Sequence, residues 1–122
     1  MERKISLVGG TPTGAPKIER RKETYFLGCW SPAGKLRYVK IGVTGLGNSR
    51  RRLKTLQTGN PDRLTLMAVY CGDVERKLHR EFKSTRLHKK TEFFKATPKL
   101  LRLIEQLRNI NEDLKRLDDY HL

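Results

Sequence analysis

The sequence predicts an α+β domain: a small three-stranded antiparallel sheet flanked by helices, in the order β-β-α-β-α-α. Three observations predict it. Apolar and aromatic residues gather in short runs at 24–30, 36–43 and 64–71, each bounded by Gly, Pro, Asn or Asp. Elsewhere the apolar spacing changes to three and four residues, the period of one helix face. The first two runs are separated only by Ser31-Pro32-Ala33-Gly34-Lys35, a hairpin connection.

Residues 1–23 read as a flexible basic tail. Gly9, Gly10, Pro12, Gly14 and Pro16 break any period, and 17–22 is a charge run. The run TYFLGCW at 24–30 predicts a strand covered on both faces. In the second strand, Val39, Ile41 and Val43 alternate with Tyr38, Lys40 and Gly42. The turn 44–49 carries two glycines, and Asn48 or Ser49 is suited to cap the helix over 48–58. Leu53 and Leu56 form its buried side, and Arg50, Arg51 and Arg52 crowd its first turn. Positive charge there opposes the helix dipole by roughly 0.3–1 kcal/mol per residue. An anionic partner would relieve that cost, so the strand, glycine turn and helix start are expected to receive a phosphate. Residues 59–62 end the helix, and 64–71 form the third strand.

Asp73 is the expected N-cap of the second helix. Val74, Leu78 and Phe82 recur every four residues as its buried side. Glu75 and His79 share a neighbouring face, and Arg76, Arg80 and Lys83 line another. A basic loop follows at 84–91, with Arg86, His88, Lys89 and Lys90, and then Glu92 beside Phe93 and Phe94. Pro98 opens the last helix. Its Leu100, Leu103, Leu107, Ile110, Leu114 and Leu117 make an a/d seam. The early turns are expected to cover the sheet. The later ones, in an extension at 105–122, either project or join a second copy as a homodimer.

Lys and Arg number 27 against 13 Asp and Glu, a net charge of +14. That surplus suits nucleic acid, with an acidic membrane surface second, and a small-molecule enzyme has little use for it. No apolar run nears the roughly 18 residues of a membrane span, and the apolar piece at 5–8 is too short for a signal peptide. A cytoplasmic protein without membrane contact is expected. Cys29 and Cys71 share no metal-ligand spacing and read as buried or half-buried thiols in a reducing compartment.

A family resemblance rests on several short pieces in order. They are Tyr25-Phe26-Leu27, Lys40-Ile41-Gly42-Val43-Thr44, Arg52-Leu53, and Leu56-Gln57-Thr58-Gly59-Asn60-Pro61. Glu75-Arg76-Lys77-Leu78-His79, Phe82, Arg86 and Glu92-Phe93-Phe94 continue the series. Together they resemble the GIY-YIG nuclease superfamily, in the phage-type branch whose second motif reads K-I-G. The resemblance covers about 24–104, taken as the nuclease domain. It implies a three-stranded sheet with helices, metal-dependent cutting or nicking of DNA, and a phage or mobile-element setting.

Residue by residue, Tyr25 falls on the tyrosine of the first motif and Lys40 on the position of the second tyrosine. Arg52, or Arg51 or Arg50 beside it, falls on the helix arginine. Glu75 falls on the glutamate that holds the divalent metal, Mg²⁺ or Mn²⁺. His79 and Glu92 match features of the phage-type branch, the role of Glu92 staying open.

The implied chemistry is physically coherent. A cation at Glu75 would neutralise the leaving alkoxide, and Arg52 would bind a phosphate oxygen. Tyr25 can take the water's proton only if its pKa, about 10 unperturbed, is lowered. Lys40 on the paired strand is a candidate to lower it. With lysine replacing the second tyrosine, His79 is an alternative base. Arg63, Arg76, Arg80, Lys83, Arg86, Lys89 and Lys90 read as cations tracking the DNA backbone, with Arg50 and Arg51. A second function stays open: a non-catalytic DNA- or RNA-binding regulator, or a module that acts through a protein partner. The lost tyrosine and the lack of an appended target-recognition module both favour it.

Overall fold

The computed structural model describes residues 21–87 and 92–110. Its elements are β1 (Lys22–Trp30), β2 (Leu36–Gly45), α1 (Ser49–Gln57), β3 (Arg63–Cys71), α2 (Glu75–Glu81), a 3₁₀ turn (Lys83–Thr85), β4 (Phe93–Lys95) and α3 (Pro98–Ile110). The strands form one sheet ordered β3-β1-β2-β4, with every neighbouring pair antiparallel.

The class is the expected α+β, but the sheet has a fourth strand. The Glu92-Phe93-Phe94 segment pairs with β2 as Tyr38↔Lys95, Val39↔Phe94 and Lys40↔Phe93. Three residues carry no readable period, so pairing rather than pattern defines this strand. Arg86 bridges Phe94 as well.

β1 is central, which explains its run of apolar and aromatic residues from Tyr25 on: residues 23–29 are all buried. Its alternation divides the core in two. Phe26 joins Val39, Ile41, Ala68 and Phe94 beneath Val74, Leu78 and Phe82, with Leu100, Ile104 and Leu107 of α3. Tyr25, Leu27 and Cys29 face the other way, onto Leu53 of α1 and Leu64. Thus α1 covers one face of the sheet, and α2 and α3 cover the other.

Several local expectations change. β1 begins at Lys22, so the end of the predicted tail belongs to the sheet, and Glu23 is buried. Residues 1–20 lie outside the described residues. Asp73 makes an Asx-type contact, accepting from the Glu75 N–H at 3.3 Å, while Val74 holds the N-cap position. Thr24 pins this turn: its hydroxyl donates to the Gly72 carbonyl (2.7 Å) and accepts from the Val74 N–H (3.0 Å).

In α3 the buried residues are Leu100, Ile104 and Leu107. Leu103 is half-buried, and Ile110 is 73% exposed. The helix lies on a sheet rather than in a helix pair, so its buried stripe follows the 3.6 period and centres on Ile104. Leu114 and Leu117 fall outside the described residues. Cys29 is buried, and burial pushes its thiol up to about 11; Cys71 is exposed, contrary to expectation. Among the described residues, no helix is long and apolar enough to cross a membrane.

Candidate functional site

The candidate site is built on three consecutive residues of β2. Lys40 ion-pairs with Glu92 through its Nζ. Ile41 donates its N–H to the Glu92 carbonyl (3.0 Å), and its own carbonyl lies 3.1 Å from His79 Nε2. Gly42 lies against Tyr25: a Cβ there would come within 2.4 Å of the tyrosine oxygen. Each residue of the K-I-G segment therefore fixes one candidate side chain. The strand period accounts for the division. Lys40 and Gly42 pair with Leu27 and Tyr25 on the α1 face, while Ile41 is buried on the other.

A carbonyl only accepts, so His79 Nε2 carries the hydrogen and Nδ1 is the nitrogen left to accept a proton. The ring packs on Phe94 with centroids 5.0 Å apart, tilted by 56°. The same Nε2 is 3.8 Å from Glu75 Oε2, one helical turn away. α2 presents this pair at the edge of its contact with the sheet, because Val74, Leu78 and Phe82 bury the neighbouring side.

The Glu75 and Glu92 carboxyls are close enough to perturb each other. Burial, then the neighbouring Glu92 carboxyl, raise the Glu75 carboxyl to about 7. Burial also pushes Glu92 upward, but the hydrogen bond and charge of Lys40 outweigh it and hold Glu92 below the ordinary value. Two adjacent carboxyls cannot both ionise cheaply, and Lys40 decides which one does.

These carboxyls and His79 line a cavity of about 360 Å³, whose other lining residues are Arg76, Arg80, Lys83 and Arg86. Acidic oxygens thus lie among four cations. Among the described residues, no group of three or more His, Cys, Asp or Glu side chains converges as a metal cage. Mg²⁺ asks for less: one or two carboxylates, with water and phosphate completing its shell. The Glu75–Glu92 pair fits it, because a cation would offset the charge repulsion between two hard oxygen donors.

Tyr25 and Arg52 do not line this cavity. Tyr25 is 1% exposed and packs in the cluster that contains Leu53, whereas Arg52, the residue before Leu53 on α1, is exposed together with Arg50 and Arg51. Lys40, expected to act on Tyr25, has its ammonium engaged by Glu92. Arg63 starts β3 opposite Trp30, at the hairpin end of the sheet and remote from β2 residues 40–42. Lys89 and Lys90 lie outside the described residues.

The phosphate seat expected at the start of α1 is filled from within the chain. Gly47 and Ser49 donate their N–H groups to Glu23 at 2.9 and 3.1 Å, and the Ser49 hydroxyl donates to it too. Sequence reasoning missed Glu23. The signal was the helix start that demands an anion; the missing piece was the β1–β2 register, Glu23↔Thr44, that brings one there.

A family model described as the T5orf172 domain matches residues 24–115. Neither the curated proteins nor the solved structures include a significant match to the chain.

Proposed function

The chain belongs to the T5orf172 domain family, and on that premise we propose that it is a GIY-YIG-type, metal-dependent endonuclease that hydrolyses phosphodiester bonds in DNA. The family is associated with nuclease-like proteins. The observation that carries the reading is the Glu75–Glu92 pair beside His79, in a cavity lined by four cations.

Glu75 would hold Mg²⁺ or Mn²⁺, with Glu92 as the adjacent oxygen donor. When bound, the ion neutralises charge on the leaving oxygen and makes its waters more acidic. Arg76, Arg80, Lys83 and Arg86 bind the flanking phosphates and hold the strand over the carboxylates. His79 accepts a proton from the attacking water at Nδ1, since the Ile41 carbonyl fixes the hydrogen on Nε2. Lys40 keeps Glu92 ionised and anchored. Arg52 on the other face of the sheet is available to a phosphate farther along the duplex, and Tyr25 orders the sheet beneath it. Target choice through a protein partner, and pairing of copies through the last helix, extend the same proposal.

The test is conversion of supercoiled plasmid. Open circles or linears formed with Mg²⁺ or Mn²⁺ and none with EDTA are expected. No conversion with either metal, together with metal-indifferent DNA binding, would leave the binding-module reading. One observation favours that second reading: the tyrosine expected to act as base is buried in the core at 1% exposure.

A further inference from the structure

α1 opens with Ser49 and three arginines, has no acidic residue in its first turn, and has no side-chain cap from Asn48. Such a start carries unsatisfied N–H groups and like charges together. The compensation comes from β1. Glu23 is 6% exposed, and its Oε1 accepts from the Gly47 N–H while its Oε2 accepts from the Ser49 N–H and hydroxyl. Ser49 is itself 3% exposed, so the contact is shielded from water. The turn is closed beside it by the Leu46 N–H donating to the Arg21 carbonyl at 3.1 Å. These bonds tie the edge of the arginine helix to the central strand that also carries Tyr25.

We propose that Glu23 is a positioning residue for the arginines of α1. Its carboxylate takes the seat that phosphate takes at other helix N-termini. Nucleic-acid phosphates therefore meet α1 through guanidinium side chains, not through its amides. The helix start from which Arg50, Arg51 and Arg52 project is held at one place relative to β1 and β2. For its consequence on cleavage, the inference rests on the nuclease reading above.

The test uses the full chain with Glu23→Ala, which opens the seat, and Glu23→Gln, which keeps its volume and removes its charge. The first readout is amide hydrogen exchange, which does not depend on activity. Exchange at Gly47 and Ser49 should quicken by about tenfold or more, with Phe26 and Ile41 unchanged, as for a local opening. Formate should slow it again in Glu23→Ala and leave wild type unaffected. Unchanged exchange at both amides in both variants would overturn the proposal.

The second readout is cleavage. The expected split is a KM raised by about tenfold with kcat within about threefold, partly restored by formate, because the α1 arginines meet phosphates away from the reacting bond and hold the duplex rather than the transition state. A lowered melting temperature with kcat and KM both intact would reduce Glu23 to a structural tie and overturn the positioning role. If wild type does not cut at all, the nuclease reading fails separately, and duplex affinity becomes the readout. Weaker binding by Glu23→Ala that formate restores supports positioning; unchanged binding overturns it.

Discussion

Gly42 is the most tightly constrained glycine beside the candidate site. Its missing Cβ leaves room for the Tyr25 ring, whose oxygen would lie 2.4 Å from an alanine Cβ. Gly42→Ala must move a fully buried tyrosine, at an expected cost of roughly 1–3 kcal/mol. Urea denaturation checks this, and an unchanged midpoint would mean that Tyr25 is not held as described. Glu75 makes the second prediction. Its folded pKa of about 7 lies above the ordinary 4.5, so the folded chain holds a proton there that the unfolded chain releases. The stability from this group is complete below pH 4.5 and is lost as pH rises through about 7. Glu92 runs oppositely: its folded value is lowered, so its contribution is present above the ordinary carboxyl value and fades in acid. Wild type should therefore lose melting temperature between pH 5 and pH 8 more steeply than Glu75→Gln. Parallel slopes in the two proteins would contradict the raised value.

Along α3, two neighbouring apolar residues differ in burial. Ile104 is 3% exposed at the centre of the buried stripe, while Leu103 is half-buried. Ile104→Ala should cost about 2–5 kcal/mol and Leu103→Ala distinctly less, measured by chemical denaturation. Equal losses would restore the a/d seam read from the sequence. The other helices and the long strands were legible because each carries several turns or pleats of one period. Val74, Leu78 and Phe82 are all buried, as their spacing predicts. β4 was not legible, since three residues give no period and its pairing with β2 is non-local. The site divided in the same way. Glu75 and His79 could be paired from one turn of helix, and the structure brings them within 3.8 Å. The ties Lys40–Glu92 and Glu23–Ser49 join residues far apart in sequence, which only sheet register reveals.

For the whole molecule, a net charge of +14 sets the relation to DNA before any particular contact forms. Binding should be salt-dependent, and each phosphate contact removed by Arg80→Ala or Lys83→Ala should flatten the log–log slope by about 0.9. Filter binding or fluorescence anisotropy across a salt series reads this; slopes identical to wild type would remove those side chains from the DNA interface. On the proposed reading, Glu75, beside Glu92 and His79, is the carboxylate around which cutting is organised. The most direct measurement of that role is plasmid conversion by wild type and Glu75→Gln in Mg²⁺, in parallel with duplex affinity. The variant is expected to bind DNA about as well as wild type and to convert none of it; undiminished conversion by Glu75→Gln would remove Glu75 from the mechanism.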